Sequence, residues 1–202
     1  MAEHSRYYVS DKAAGVNKGI LKNKLGIKNK RQLENAETLL LADTYTHFFE
    51  LLKKDKVKFD LSLLFSIHQY FFETLYDWAG KVRTVNISKD DMLFAPVKYI
   101  DKALAVFNKL LKTTLPKQPD TKDKLSQKLA IIHNELNVIH PFREGNGRTI
   151  RLFLDLIVAS LGYNPIDWGK KSNSDYVKAC VKGTKGEYET MAEIIKKGLK
   201  IN

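Results

Sequence analysis

Residues 148–163, RTIRLFLDLIVASLGY, are apolar on nearly every side of a helical projection, interrupted only by Arg148, Arg151 and Asp155. A helix without a polar face is normally the one that other elements surround. The rest of the chain supplies such a shell. From Arg31 to Lys54, apolar residues at Leu33, Ala36, Leu40, Ala42, Tyr45 and Phe48 follow helical spacing. Asp60 is a natural N-cap for a second helix, residues 61–79, that Gly80 would end. Residues 98–112 form a third, running up to Pro116. Leu125, Leu129, Ile132, Leu136 and Ile139 then step by four and three along one face, until Pro141 pushes the residue before it out of the α region. Two short helices, over 174–182 and 187–200, follow the central one.

The period changes once. Val82, Thr84 and Ile87 lead into SKDD and then MLFAPV, β-prone runs either side of a polar turn, which predicts a hairpin closed by Pro96. The first 30 residues, rich in Gly, Asn and Lys, form an N-terminal arm, and residues 31–202 the body. The expected fold is mainly α: a compact helical domain carrying a small β-hairpin.

With 202 residues, 44% of them hydrophobic, the chain can bury a substantial core. A single cysteine, Cys180, excludes an intramolecular disulfide and a cysteine-clustered zinc site. The N-terminus lacks the apolar stretch of a secretory signal, and no run of about 18 apolar residues could span a bilayer. These features predict a soluble, cytoplasmic protein. The net charge of +11 invites a nucleic-acid partner, but 28 of the 34 basic residues are lysines spread from Lys12 to Lys200. Base readout leans on arginine, of which there are six, so direct nucleic-acid binding is disfavoured and stands as the alternative class.

The stretch that carries chemistry is His140-Pro141-Phe142-Arg143-Glu144-Gly145-Asn146-Gly147-Arg148-Thr149-Ile150-Arg151. It joins two helices, so its glycines precede a helix N-terminus whose first N–H groups lack intrahelical partners and favour an anion. Gly145 and Gly147 let the backbone take positive φ and approach a ligand. Arg148 and Arg151, three apart on one face, can fork onto phosphate oxygens. Glu144 offers a hard oxygen of the kind Mg²⁺ accepts alongside waters and nucleotide phosphates. His140, with an ordinary pKa near ~6.5, suits proton transfer. Each residue alone has a plain structural reading; their density at one corner, beside an apolar helix holding two arginines, points to phosphoryl or nucleotidyl transfer. His133, seven residues before His140, reads as a partly buried helix residue, and HExxH spacing is absent. His68, in an aromatic helix, reads as a core or surface residue, Trp78 and Trp168 read as packing, and Cys180 lacks a histidine partner.

HPFREGNGRTIR matches the Fic motif, HxFx(D/E)GNGRxxR, at every defined position. LYDWAGKVR, ELNVIHPF, LGYNPIDW, SDYVKA and the early LKNKLGI are also similar to segments of that family, so the resemblance covers nearly the whole chain. It implies a helical Fic-type domain that transfers AMP from Mg²⁺-bound ATP to a hydroxyl side chain (Tyr, Ser or Thr) of a target protein. On this resemblance His140 is the general base and Glu144 the Mg²⁺ ligand. Gly145, Asn146 and Gly147 form the anion hole, and Arg148 and Arg151 grip the β and γ phosphates. Phe142 anchors the loop. Ser88, Lys89 and Asp90 match the flap that aligns the target by strand pairing, and Tyr176 the aromatic residue near the adenine. The related Doc proteins carry Lys where Gly147 stands, which implies phosphate transfer for them and AMP transfer here.

Many Fic proteins carry an inhibitory helix of pattern (S/T)xxxE(G/N). The only Ser/Thr-xxx-Glu here, Thr46 to Glu50, is followed by Leu51 and reads as a core helix face. The resemblance therefore implies a toxin inhibited by a separate small antitoxin whose Glu would pair with Arg151. Toxin-like members act on type II topoisomerases and effector-like ones on small GTPases. The lack of a recognisable secretion domain favours the former, with a secreted effector role as the alternative.

Overall fold

The structure, a computed structural model, describes residues 8–9, 15–17, 20–89, 92–117, 121–170 and 172–201. Among them the helices are α1 (Lys30–Lys53), α2 (Leu61–Phe72), α3 (Ile100–Thr114), α4 (Lys122–Ile139), α5 (Asn146–Ser160), α6 (Asn173–Gly183) and α7 (Glu189–Gly198). Short strands are β1 (Tyr8–Val9), β2 (Val16–Asn17), β3 (Ile20–Leu21), β4 (Ile87–Lys89) and β5 (Met92–Leu93). The mainly α class with a small hairpin is as expected.

The apolar helix is central. Every residue from Leu152 to Val158 in α5 is buried, and α5 packs against α1, α2 and α4. On its outer flank α4 is covered by α3, α6 and α7. The one charge inside the run, Asp155, accepts from Tyr45 Oη at 2.8 Å, the Ile166 N–H at 2.9 Å and Trp168 Nε1 at 3.3 Å. It thus ties α1 and the segment after α5 to the core. Burial raises its pKa to about 6. Side-chain caps begin four of the helices: Asn29, Asp60, Thr121 and Ser172 each accept from a first-turn N–H.

Local expectations are corrected at four places. Helix α2 stops at Phe72, well short of Gly80. Residues after it turn back because Trp78 stacks on Tyr76 and His68, while Gly80, at φ +69°, donates its N–H to His68 Nδ1 at 2.9 Å. The hairpin is shorter than expected: Val82 and Thr84 lie outside it, since the intervening Arg83 N–H bonds the Pro141 carbonyl at 2.8 Å. Pro96 opens a 3₁₀ turn, Val97–Tyr99, so that α3 starts at Ile100. Thr46 and Glu50 are exposed, and Glu50 pairs with Lys53 at 2.8 Å; the inward face of α1 carries Leu33, Glu37, Thr44 and Phe48.

The described part of the arm is tied to the body by strand pairing, by packing and by Lys24, whose N–H donates to the Leu75 carbonyl at 2.8 Å. Strand β1 pairs with β4 (Tyr8↔Ser88, Val9↔Ile87), making a sheet of order β1-β4-β5. Leu21, from the β2–β3 ladder, packs with Leu33, Phe71, Phe72, Leu75 and Tyr76. Among the described residues no helix is long and apolar enough to cross a membrane.

Candidate active site

The corner between α4 and α5 is built by its own backbone. His140 caps α4 in the left-handed region (φ +48°, ψ 61°), a conformation unfavourable for a side-chain-bearing residue. Arg83 holds it there, donating from Nε to the His140 carbonyl at 2.8 Å and from Nη2 to the Ile139 carbonyl at 3.4 Å. The same guanidinium binds the carbonyls of Val85 and Ala95, so one side chain joins the helix end to both sides of the hairpin. Asn146 closes the loop: its Oδ1 accepts from the Phe142 N–H at 2.9 Å and its Nδ2 donates to the Phe142 carbonyl at 2.8 Å. Phe142 lies buried against His68, ring centroids 3.8 Å apart. With Nδ1 of His68 accepting from Gly80, its Nε2 carries the proton donated to the Glu144 carbonyl at 3.0 Å.

The two loop glycines serve different ends. Gly145 sits at φ +77°, and an added Cβ would lie 2.1 Å from Phe72 Cε2, so the fold itself demands glycine. Gly147 does not take the expected positive φ, because it already lies in the first turn of α5. Among the described residues a Cβ there would meet only Arg151 Nη1, at 3.6 Å, an ordinary contact.

His140 is 4% exposed, its ring stacked on Phe94 at 3.7 Å. Its Nδ1 donates to the Asn137 carbonyl at 2.9 Å, which puts the basic lone pair on Nε2. The ordinary histidine pKa anticipated from sequence does not hold. Burial first, then the charges of Arg83 and Lys89, push it down to about 3, so the ring is neutral at physiological pH.

Glu144 is buried too, and its Oε1 accepts from the Gly145 N–H at 2.9 Å and from Arg148 Nη2 at 3.5 Å. Arg148 and Arg151 leave the same helix toward different neighbours. The Arg148 guanidinium lies over Phe71 and Phe72 and donates from Nη1 to Glu37 Oε2 at 2.7 Å. Arg151 turns back toward Gly147, its Cζ 5.8 Å from the Tyr176 ring centroid. The Tyr176 hydroxyl reaches His133 Nε2 at 2.7 Å. His133 is fully buried instead of partly so, and burial lowers its pKa to about 4.

Of the flap residues, Ser88 and Lys89 lie in β4, paired with Leu93 and Met92 of β5, and Ser88 is flanked on its other side by Tyr8. Lys89 is close enough to His140 to help lower its pKa, and to Cys180 to offset a little of the rise that burial imposes on that thiol. Asp90 lies outside the described residues. The corner thus gathers His140, Glu144, Gly145, Asn146, Gly147, Arg148 and Arg151, with Lys89 on one side and Tyr176 on another.

Three contributors escaped the sequence reading: Arg83, His68 and Glu37. The last was signalled, since Glu37 falls in the apolar stripe of Leu33, Ala36 and Leu40.

The pattern of the Fic/DOC family matches residues 58–158, half of the chain. The chain belongs to the Fic/DOC family. This Fic chain is similar over 182 residues to the protein adenylyltransferase VbhT of Bartonella schoenbuchensis, with 34% identity, covering 90% of this chain and 37% of VbhT. It is similar over 179 residues to y4lH of Sinorhizobium fredii, named a probable protein adenylyltransferase, with 27% identity, covering 88% of this chain and 90% of that protein. The crystal structure of BepC from Bartonella tribocorum with bound AMPPNP shares the fold at a TM-score of 0.73 and 22% identity, covering 90% of this chain and 93% of that one. The Fic chain therefore spans little more than a third of VbhT but nearly the whole of y4lH.

Proposed function

We propose that this Fic chain transfers AMP from ATP to a hydroxyl side chain of a target protein. The observation that carries the reading is Gly147. Packing excludes a side chain at Gly145 but not at Gly147, whose added Cβ would make only an ordinary contact. Among the described residues only the Arg151 guanidinium stands over the first turn of α5, and a glycine kept there without a packing demand is best explained by a ligand that needs the space. Kinship with proteins named adenylyltransferases and a fold shared with an AMPPNP-bound structure support a nucleotide there.

The geometry supports a role for each residue of the corner. The N–H groups of Asn146, Gly147 and Arg148 open α5 and have no carbonyl four residues back within the helix, so they hold phosphate oxygens. The Asn146 side chain closes the loop, which leaves the backbone as its contribution to that cradle. Arg151, folded over Gly147, clamps the phosphates, and Arg148 adds those N–H groups not given to Glu37 and Glu144. Tyr176 walls the adenine side. The residues present fit Mg²⁺: one buried carboxylate, Glu144, beside a phosphate cradle is the mode in which this ion keeps waters and phosphate oxygens as its other ligands. Bound there, Mg²⁺ would neutralise charge on the phosphates. His140 Nε2 takes the proton of the attacking hydroxyl; because β4 is already paired with β1 and β5 at Ser88, alignment of the target chain falls to Lys89 at the end of that strand and to the adjoining Asp90.

We further propose a toxin role, with a topoisomerase subunit as target and a separate antitoxin supplying a Glu to Arg151. The exposed position of Glu50, paired with Lys53, supports inhibition from outside the chain.

The test is incubation with a bacterial lysate and ATP labelled at the α or the γ phosphate, using wild type and His140→Ala. Transfer of the α label only, lost in the variant, is expected; the labelled band names the target and decides between toxin and secreted effector. Transfer of the γ label would mean a phosphotransferase of the Doc kind.

A further inference from the structure

Glu37 lies on α1, outside the segment matched by the family pattern, yet it reaches the catalytic corner across 111 positions of sequence. It is 6% exposed. Its two oxygens have separate partners: Tyr76 Oη donates to Oε1 at 3.0 Å, and Arg148 Nη1 donates to Oε2 at 2.7 Å. The other arm of the same guanidinium, Nη2, meets Glu144 Oε1 at 3.5 Å, where the Gly145 N–H also donates. The guanidinium plane is backed by Phe71 and Phe72, at 4.9 and 5.3 Å from Cζ. Tyr76, Glu37, Arg148 and Glu144 thus form one chain of contacts in which each polar group is fixed by the next.

We propose that Glu37 is a positioning residue for divalent-cation binding, acting through Arg148 on the carboxylate of Glu144. A guanidinium held between two carboxylates orients both, and partners one shell out from a metal ligand commonly alter metal affinity by about 10- to 100-fold. Glu37 carries the anchoring half: Tyr76 and α1 fix it, it fixes Arg148, and Arg148 with the Gly145 N–H fixes one oxygen of Glu144. Its place in an apolar stripe of α1 follows, because a carboxylate is tolerated there only with a cation to meet it. The inference rests on the adenylyl-transfer reading, in which Glu144 binds the ion together with ATP.

The test is Mn²⁺ titration of the full chain, followed by electron paramagnetic resonance, with AMPPNP present. Glu37→Gln keeps the shape and removes the charge. It is expected to weaken Mn²⁺ binding about tenfold while leaving AMPPNP affinity measured without metal within about twofold. In the transfer assay the variant should need more metal for half-saturation, with turnover recovering at high metal. Tyr76→Phe, which removes only the hydroxyl behind Glu37, should shift metal affinity the same way by a smaller factor, and it keeps the test valid if Glu37→Gln folds poorly. Equal Mn²⁺ affinity in wild type and both variants would overturn the inference. So would a matching loss of metal-free AMPPNP affinity, which would make Glu37 a support of the phosphate grip. Failure of wild type to bind AMPPNP with or without metal would instead end the adenylyl-transfer reading, and this inference with it.

Discussion

Arg83 donates from Nε to the main-chain carbonyl of His140 at 2.8 Å, and so holds the proposed general base by its backbone and not by its ring. The same side chain binds the carbonyls of Ile139, Val85 and Ala95, and all four acceptors are main-chain. Removing it leaves the buried carbonyls of His140 and Ile139 without this donor, at ~1–3 kcal/mol each, while those of Val85 and Ala95 are only half-buried. Arg83→Ala should therefore lower unfolding free energy by about 3–5 kcal/mol, read by urea denaturation. Arg83→Lys keeps the charge but cannot fork onto four carbonyls. It should fold, bind AMPPNP and lose transfer by about 100-fold as the left-handed turn at His140 relaxes. Full transfer in Arg83→Lys would show that the turn holds itself.

The two loop glycines give a paired prediction. Gly145→Ala drives a Cβ against the edge of the Phe72 ring, 2.1 Å from Cε2, at a positive φ and should cost several kcal/mol of stability, about 3 or more. Gly147→Ala adds a methyl to a helical position with room for it and should raise stability by about 0.5–1 kcal/mol. The same methyl stands in the proposed phosphate space, so AMP transfer should fall by at least about tenfold, since 1.36 kcal/mol of barrier is tenfold in rate. Thermal melts and the α-label assay separate the two. A Gly147→Ala protein as active as wild type would remove the main support for the functional reading.

Acid should unfold the protein through its buried histidines. Burial lowers the pKa of His68 and His140 to about 3 and of His133 to about 4, against about 6.5 for an unfolded histidine. At pH values between about 4 and 6 the unfolded chain therefore binds up to three protons that the folded chain refuses. Asp155 works the other way: its pKa, raised to about 6, lets the folded chain keep one proton that an unfolded aspartate releases near ~3.9. The balance of about two protons makes stability fall as pH drops through this window, by ~2.7 kcal/mol per pH unit. Urea unfolding from pH 7 to 4.5 measures the slope, and a flat curve would contradict the burial of these rings. For the same reason kcat/KM should show no acid limb near pH 6.5 arising from His140.

What could be read from sequence depended on how far apart the partners lie. The apolar run of α5 announces a surrounded helix, and the candidate loop between α4 and α5 is contiguous, so the placing of both was legible. The end of α2 was not, because it is decided by Trp78 folding onto His68 and by the Gly80 N–H, contacts that leave no periodic trace. Arg83 reaches His140 across 57 positions and Glu37 reaches Arg148 across 111. Glu37 alone left a hint, as a charge inside an apolar stripe. Drift in that stripe also misplaced Glu50: with Thr44 and Phe48 facing inward, residues two further on, Thr46 and Glu50, turn outward. The pKa of His140 was illegible for a simpler reason, since burial under Phe94 is a property of the assembled corner.

Glu50 sits where it cannot act as an inhibitor of the corner between α4 and α5. An internal inhibitor must bring its carboxylate to Arg151, whereas Glu50 is exposed and paired with Lys53 on α1. Arg151 instead lies beside Tyr176 of α6 and over Gly147. Expression of the chain alone in bacteria should therefore arrest growth, and Glu50→Ala should change neither the arrest nor the α-label signal, because an exposed ion pair contributes at most about 1 kcal/mol. Arrest should disappear with His140→Ala, which ties it to transfer and not to overproduction of a basic protein. If Glu50→Ala instead converted a harmless chain into a growth-arresting one, α1 would carry the inhibitor after all, and a separate antitoxin would lose its rationale.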